Sequence, residues 1–353
     1  MPNRNDSGST PGGQMVAEIC EQPMVWARTM DEGMAEISDV ARAIKRRKPR
    51  FVLLVARGTS DHAALYAKYL VEMLLGIPAG LASPSSLTVY GAKPDLRDVL
   101  LIGVSQSGGS TDLVRTVALG REQGAVTLSI TNNASSQLDE AAELCLNLHV
   151  GPERAVAATK SYTAQLLTLF LLLDHLRGGD GAEAALLPAW GDEVLAAEPR
   201  VRELAQRYLF AQRLMVTARG LSYPTAREAA LKLMETSYLS AQAFSGADLL
   251  HGPMAMVDPQ VPVMTVVSEG AGGQAMAPVL ARLGEVGADT LCIGSRSAVR
   301  EATVGVSLPE GVPELLSPLL EILPFQQLAL HLALARGLNP DSPRGLQKVT
   351  RTT

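Results

Sequence analysis

Short apolar runs alternate with amphipathic stretches along the first half of the chain. Four runs are continuous and rich in Val, Ile and Leu, at 51–56, 99–104, 125–130 and 144–150. Three stretches carry apolar residues at helical spacing, at 62–75, 113–123 and 163–176. Continuous apolar strands separated by helices are typical of a parallel sheet that is covered on both faces. The pattern therefore predicts a three-layer α/β/α domain.

The residues before the first strand divide into two parts. Residues 1–13 are rich in Asn, Ser, Gly and Pro, and we expect them to be disordered. Residues 14–48 carry apolar residues at helical spacing and end in four basic residues, which predicts a helical segment. No apolar segment follows Arg4, and the longest apolar stretch, 166–173, is too short to span a bilayer. We therefore expect a cytoplasmic protein that does not contact a membrane.

Landmarks of the first half recur in register in the second half. Ala56-Arg57-Gly58 returns as Ala218-Arg219-Gly220, which lies 162 residues further along. Residues 104–108 align at the same offset with residues 266–270. Regular self-similarity of this kind indicates a duplicated structural unit. We predict two α/β domains and a C-terminal tail, at 49–180, 200–338 and 339–353.

Composition excludes several classes of partner. The chain has 31 basic and 36 acidic side chains and a net charge of −5, so non-specific binding to nucleic acid is not expected. Cys20, Cys145 and Cys292 are widely spaced and form no CxxC pair. We therefore expect buried, reduced cysteines, and neither a disulfide framework nor a zinc site.

Two loops of the first predicted domain are crowded with hydroxyl groups. Gly58-Thr59-Ser60 follows the first strand, and residues 105–111 (SQSGGST) follow the strand at 99–104. Hydroxyls and backbone N–H groups at the start of a helix form an anion site, although they can also be ordinary helix caps. Two such loops at one sheet edge favour a ligand site. Neither loop matches GxxxxGK[ST] or GxGxxG, so a small phosphorylated metabolite is a better fit than a nucleotide.

The second half differs in its loop and adds candidate reactive groups. Its corresponding loop carries Glu269, whose carboxylate would repel phosphate, so we expect no phosphate site there. Lys232 and Glu235 share one face of a predicted helix at 222–239, where they could also form an exposed ion pair. His251 lies between an apolar pair and a Gly-Pro turn, a setting in which a structural role is also common. Lys348 lies in an irregular tail that would otherwise be interpreted as a loose end.

Six stretches, in order along the chain, resemble the SIS (sugar isomerase) family. They are 56–62 (ARGTSDH), 105–108 (SQSG), 157–165 (AATKSYTAQ), 218–238 (ARGLSYPTAREAALKLMETSY), 251–254 (HGPM) and 342–350 (SPRGLQKVT). The family includes the isomerase half of glutamine–fructose-6-phosphate aminotransferase and SIS-type glucosamine-6-phosphate deaminases. The resemblance implies an α/β fold with two tandem SIS domains, each a flavodoxin-like parallel sheet flanked by helices.

The resemblance also implies roles for individual residues. Glu235 would move a proton between C1 and C2 of the sugar, and Lys232 would support it. His251, supplied by the neighbouring subunit of a homodimer, would assist ring opening. Lys348 would engage the open-chain carbonyl, so that the tail closes the active site. The implied contacts to the sugar phosphate are Thr59, Ser60, Ser105, Gln106, Ser107, Ser110, Val156 and Ala157, and neither a metal nor another cofactor is implied.

The particular residues within these motifs favour one reaction within this family. The SQSGGS loop has Gly109 where the aminotransferase usually has a glutamate, and Met234 and Gln347 also depart from that enzyme. Only about 50 residues precede the first strand, so we do not expect a glutaminase domain. We predict a metal-independent glucosamine-6-phosphate deaminase that forms fructose 6-phosphate and ammonia. An isomerase or aminotransferase acting on another amino-sugar phosphate, and a non-catalytic sugar-phosphate sensor, are the alternatives.

Overall fold

The N-terminal part of the chain is helical and packs against the first domain. The computed structural model describes residues 10–348, so most of the segment expected to be disordered (1–13) lies outside the described residues. The helical segment expected over 14–48 is two helices, α1 (Gly13–Cys20) and α2 (Gln22–Arg47). Pro23 lies in the first turn of α2, where a missing N–H group costs no helical hydrogen bond. Helix α1 already includes Gly13.

The first domain contains a parallel sheet with the strand order β2-β1-β3-β4-β5. Its strands are β1 (Phe51–Val55), β2 (Ala79–Leu81), β3 (Val99–Ser105), β4 (Val126–Thr131) and β5 (Leu144–Asn147). Its helices are α3 (Thr59–Leu70), α4 (Pro84–Thr88), α5 (Thr111–Glu122), α6 (Gln137–Ala141) and α7 (Lys160–Arg177). A short π-helix at Val71–Leu75 continues α3. The four predicted strands are confirmed, and the short edge strand β2 was not predicted.

The second domain repeats this arrangement, with the strand order β10-β9-β8-β6-β7. Its strands are β6 (Arg213–Ala218), β7 (Ser240–Ser245), β8 (Val263–Val267), β9 (Thr290–Gly294) and β10 (Val304–Ser307). If each sheet is numbered from its own first strand, both have the same order, with the first strand between the second and the third. The predicted duplication of a parallel α/β unit is therefore confirmed.

Helices cover both faces of the second sheet and join the domains. In this region they are α8 (Leu187–Leu195), α9 (Glu198–Arg207), α10 (Tyr223–Ser237), α11 (Gly246–Leu250), α12 (Ala271–Gln274), α13 (Ala277–Glu285), α14 (Arg296–Glu301) and α15 (Ser317–Ala335). Helix α15 is long and apolar enough to cross a membrane, with a mean hydropathy of 1.2, but 83% of that window is buried inside the structure. It is therefore a core helix of this fold.

The start of the C-terminal tail is tied to the N-terminal helix. The side chain of Asp341 accepts hydrogen bonds from the backbone N–H groups of Gln14 (3.2 Å) and Met15 (2.8 Å). The side-chain oxygen of Asn339 accepts from the N–H group of Gly12 at 3.2 Å. These contacts occupy N–H groups at the start of α1 and direct the tail towards the first domain. The prediction that every cysteine is buried is confirmed for Cys292 alone, because Cys20 is exposed at the end of α1 and Cys145 is only half-buried.

Candidate active site

A cavity of about 310 Å³ opens at the carboxyl edge of the first sheet. Its lining residues are Arg57, Gly58, Thr59, Ser60, Ser105, Gln106, Ser107, Ser110, Val156, Ala158, Ser161 and Lys348. The structure thus brings together every predicted contact to the sugar phosphate except Ala157. Ala157 has only 1% of its surface exposed, and the neighbouring Ala158 lines the cavity in its place. The loops after β1 and β3 and the tail converge here, although they are far apart in sequence.

The loop after β3 requires a glycine at position 108. Gly108 has a φ of +65°, and a Cβ atom on it would lie 2.2 Å from the hydroxyl of Ser136. Its N–H group donates to the hydroxyl of Ser105 at 3.1 Å, and the N–H group of Gly109 donates to the hydroxyl of Ser107 at 3.3 Å. This tight turn leads directly into α5, whose N-terminus carries a partial positive charge. The loop therefore holds its hydroxyls, two of which accept from its own N–H groups, at a helix N-terminus where an anion is favoured.

Two cationic side chains line the same cavity. A guanidinium nitrogen of Arg57 lies 2.7 Å from a carboxylate oxygen of Asp112, in the first turn of α5. The ammonium of Lys348 lies 2.8 Å from the carboxylate of Glu153 and donates to the carbonyl oxygen of Ala155 at 2.7 Å. Both cations are thus held at the wall of the cavity, each beside a carboxylate that offsets its charge, and the hydroxyl groups are the main feature that suits the cavity to a phosphate group.

The fully buried carboxylate of Glu153 anchors Lys348 in this place. Burial alone would raise the pKa of Glu153, but the charge of Lys348 and hydrogen bonds from Lys348 and Ser161 lower it below its usual value. The N–H groups of Thr159 and Ser161 also donate to Glu153, at 3.1 and 3.0 Å. Glu153 is therefore ionised at neutral pH and holds the tail lysine at the rim of the cavity.

The second domain contributes Lys232 and Glu235 from α10. The ammonium of Lys232 lies 2.6 Å from the carboxylate of Glu235 and 3.1 Å from the hydroxyl of Thr59, which lines the cavity. Lys232 has no exposed surface and Glu235 retains 21%. The alternative of a solvent-exposed ion pair is therefore wrong. Neither Lys232 nor Glu235 is among the residues that line the cavity, and Thr59 connects this ion pair of the second domain to the cavity of the first.

Glu228 was not predicted from the sequence, although it completes this cluster. Its carboxylate has no exposed surface, accepts from the hydroxyl of Thr59 at 3.1 Å and lies 3.3 Å from the ammonium of Lys232. Burial alone would lower the pKa of Lys232, but the carboxylates of Glu228 and Glu235 raise it above its usual value. Lys232 is therefore a permanent cation. The four-residue spacing from Glu228 to Lys232 is the signal that could have identified it.

His251 does not reach the cavity within one chain. It is exposed at the C-terminal end of α11 and is not among the residues that line the cavity. Among residues 10–348, no hydrogen bond or ion pair to its ring is found. The predicted role of His251 thus requires a second subunit, as the sequence prediction stated.

In the second domain, the loop after β8 corresponds to the loop after β3, and a carboxylate from elsewhere in the chain binds next to it. The side chain of Glu314 accepts hydrogen bonds from the N–H groups of Ala271 (3.0 Å) and Gly272 (2.7 Å). A larger cavity of about 790 Å³ lies beside this loop, and its lining includes Glu269 and Glu301 but no lysine, arginine or histidine of the described chain. Negative charge without a cation makes this cavity unsuited to a phosphate.

Comparisons with known proteins agree with this arrangement. A family model described as the SIS domain matches residues 47–174 and 209–336. Over 343 residues the chain is 33% identical to the glutamine–fructose-6-phosphate aminotransferase (isomerizing) of Pyrococcus horikoshii. That alignment covers 95% of this chain but 57% of the relative. The chain thus spans little more than half the length of this relative.

Two solved structures have the same fold. The C-terminal domain of glucosamine-fructose-6-phosphate aminotransferase from Francisella tularensis superposes with a TM-score of 0.85 at 24% identity, covering 95% of this chain and 99% of that one. The glucosamine-6-phosphate deaminase from Thermotoga maritima superposes with a TM-score of 0.77 at 23% identity, covering 96% and 100%. At these identities the likeness concerns the fold alone.

Proposed function

Because the chain belongs to the SIS domain family, we propose that it acts on an amino-sugar phosphate. The proposed reaction converts glucosamine 6-phosphate and water into fructose 6-phosphate and ammonia. The observation that carries the proposal is the junction at Thr59. There, a hydroxyl-lined cavity with two cations meets the carboxylate of Glu235 through the ammonium of Lys232.

The phosphate group is assigned to the loop after β3. Hydroxyls of Ser105, Ser107 and Ser110 line this end of the cavity, next to the N-terminus of α5 and the guanidinium of Arg57. A phosphate there would receive hydrogen bonds from hydroxyl and N–H donors and the attraction of a cation. Binding energy from this remote group would then position the reacting carbons.

Proton transfer between C2 and C1 is assigned to Glu235. In the open-chain aldehyde, its carboxylate takes the proton from C2, which gives an enolamine, and then returns a proton to C1. The product is a C2 imine, which water hydrolyses to the ketone and ammonia. The ammonium of Lys232, at 2.6 Å from this carboxylate, orients it. A positioned general base of this kind typically contributes about 10²–10⁴-fold to the rate.

Lys348 serves in this proposal as a cation at the mouth of the cavity. Its ammonium is held by Glu153 at 2.8 Å, and in this proposal its remaining N–H group donates a hydrogen bond to the open-chain oxygen, on which negative charge develops. Ring opening is assigned to His251 of a neighbouring subunit in a homodimer. Mixing inactive Glu235→Gln and His251→Asn chains tests this assignment. Restored activity supports a shared site, and a mixture as inactive as its components contradicts it.

A product assay tests the proposed reaction. Pure protein incubated with glucosamine 6-phosphate is expected to release ammonia and fructose 6-phosphate in equal amounts, and the Glu235→Gln variant is expected to release neither at a comparable rate. The absence of products from a folded wild-type protein contradicts the proposal. Binding of the sugar phosphate without turnover would identify a sensor instead.

A second candidate is the reverse reaction, the formation of glucosamine 6-phosphate from fructose 6-phosphate and ammonia. It is favoured by the 33% identity to an isomerizing aminotransferase. The same groups would act in the opposite order, with Glu235 taking a proton from C1 of the imine. Rates measured with ammonium chloride and fructose 6-phosphate, compared with those of the deamination, decide which direction the protein favours.

A further inference from the structure

A buried hydrogen bond joins the two domains directly behind the candidate active site. The ring nitrogen Nδ1 of His62, in the first turns of α3, lies 2.7 Å from a carboxylate oxygen of Glu228 on α10. The side chain of His62 is 8% exposed and that of Glu228 is not exposed at all. In the tautomer that donates to this carboxylate oxygen, Nδ1 carries the proton. No role for His62 follows from the reaction proposed above.

This bond fixes the carboxylate that organises the reactive pair. The other oxygen of Glu228 accepts from Thr59 at 3.1 Å and lies 3.3 Å from the ammonium of Lys232. Lys232 in turn lies 2.6 Å from Glu235. The line of contacts therefore runs from His62 through Glu228 and Lys232 to the carboxylate of Glu235. If the donor at His62 is lost, Glu228 is free to rotate about its terminal bonds, and Thr59 and Lys232 lose a fixed partner.

The ring of His62 does not itself reach the sugar phosphate. It borders a separate cavity of about 360 Å³ between α3 and α10, which shares only Gly58 with the cavity that holds the phosphate-binding loop. His62 therefore acts through Glu228 and is not in contact with a reacting atom.

We propose that His62 is a positioning residue. By donating its Nδ1–H to Glu228, it holds Lys232 and Glu235 in place relative to Thr59, across the boundary between the two domains. The inference rests on the proposed function for its kinetic consequence. The phosphate-binding loop at 105–110 has no hydrogen bond to His62 among the described residues. The effect of replacing His62 is thus expected in kcat more than in KM.

The kinetic test compares two substitutions at the same position. The His62→Leu variant keeps the apolar volume but removes the donor, and kcat is expected to fall about tenfold to a hundredfold while KM changes less than about threefold. The His62→Asn variant places an amide N–H group near the position of Nδ1, and it is expected to recover most of the wild-type kcat. If His62→Asn is as slow as His62→Leu, or if His62→Leu keeps its kcat, the proposal is overturned.

A matched control separates positioning from stability. His331 on α15 also has a ring nitrogen close to a carboxylate, at 2.8 Å from Glu198, and its side chain is 13% exposed. His331→Leu is expected to lower the melting temperature without changing kcat. An equal loss of kcat in His331→Leu and His62→Leu would assign the effect to general destabilisation and would overturn the proposal.

A spectroscopic readout keeps the test independent of turnover. In ¹⁵N-histidine NMR spectra, His62 is expected to carry its proton on Nδ1, with slow exchange, and this signal is expected to change in Glu228→Gln. It is also expected to shift when fructose 6-phosphate is added. If the wild-type protein does not turn over glucosamine 6-phosphate, the proposed function fails, but these signals still decide the inference. An Nδ1 without a proton, or a signal indifferent to both changes, overturns it.

Discussion

The loop after β3 and the loop after β8 occupy the same place in two similarly folded domains, but their surroundings differ. In the first domain, the loop borders an open cavity between hydroxyls and two cations. In the second domain, two N–H groups of the loop, those of Ala271 and Gly272, already bind the carboxylate of Glu314. Duplication thus preserved the sheet order in both halves but left only one loop suited to an external anion. The site lies in the loops, and the fold only supports them.

Two glutamates illustrate how the copies diverged. Glu153 and Glu314 each follow the last strand of their sheet and precede its long buried helix. The carboxylate of Glu153 forms an ion pair with Lys348 of the tail and does not fill the cavity beside the loop after β3. Glu314 turns to the loop after β8 and binds its backbone. In the second domain the chain itself therefore supplies an anion to this part of the fold, whereas in the first domain the proposed sugar phosphate would supply it.

The largest expected effect tests whether binding and reaction are divided between the domains. Glu235→Gln removes the proposed general base from the second domain and is expected to lower turnover of glucosamine 6-phosphate by about 10²–10⁴-fold. The phosphate-binding loop is untouched, so calorimetric titration with the sugar phosphate is expected to give a nearly unchanged affinity. An equal loss of affinity and turnover would contradict this division.

Exchanging one residue between the loops tests the electrostatic difference. Ser107 aligns with Glu269 in the repeat. Ser107→Glu places a carboxylate in the loop to which the phosphate is assigned. It is expected to weaken binding of the sugar phosphate by about tenfold or more, because the two negative charges repel each other. Titration calorimetry measures the affinity. The reciprocal Glu269→Ser is expected to create no new binding, since Glu314 still binds the loop. A second binding site in that variant would contradict the comparison.

Two equivalent glycines give a matched pair with smaller effects. Gly108→Ala brings a Cβ atom towards Ser136 at a φ of +65°, which is expected to distort the cavity and to weaken binding several-fold. Gly270 has a φ of +120°, and a Cβ atom there would meet the carboxylate of Glu314 at 2.3 Å. Gly270→Ala is expected to cost about 1–2 kcal/mol of unfolding free energy without changing affinity. Titration calorimetry measures the affinity of each variant, and chemical denaturation measures its free energy of unfolding. Reduced affinity in Gly270→Ala would show that the second loop takes part in binding.

The last prediction concerns the pH dependence of stability near Glu153. Its pKa in the folded chain is lower than the usual 4.5, so its contribution to stability is complete above about pH 4.5 and is lost as the pH falls through the lowered value. Glu153→Gln is expected to reduce the free energy of unfolding by about 1–3 kcal/mol at pH 7. The difference from the wild type is expected to shrink in denaturation curves recorded below pH 4.5. A difference that is constant down to pH 3 would contradict the pairing with Lys348.

Much of the fold was predictable because its signals are local. Apolar runs identified the strands β1, β3, β4 and β5, and repeated landmarks identified the second domain. The edge strand β2 has only three residues (Ala79–Leu81), which is too short for a hydrophobic run to stand out. The helices α8 and α9, which join the domains, each have a proline in the first turn, Pro188 and Pro199. In the sequence alone, a proline at such a position predicts a loop as readily as the start of a helix.

The parts of the site that were missed depend on distant contacts. The four-residue spacing from Glu228 to Lys232 predicts an ion pair, but the burial of Glu228 also depends on Thr59 and His62, which are distant in sequence. Ala157 and Ala158 are chemically identical neighbours, so only the backbone direction decides which one lines the cavity. Glu314 lies beyond β10, and its contact with the loop after β8 follows from the tertiary fold alone.

The most direct test of the base assigned to Glu235 is deuterium exchange at C1 of fructose 6-phosphate in D₂O that contains ammonium chloride, so that the imine can form, followed by NMR. Wild-type protein is expected to catalyse the incorporation of deuterium at C1, because the carboxylate of Glu235 exchanges its proton with solvent between removal and return. The Glu235→Gln variant is expected to bind the sugar phosphate and leave C1 unlabelled. Equal labelling by both proteins would contradict the assignment of Glu235 as the base that the second domain supplies to the cavity of the first.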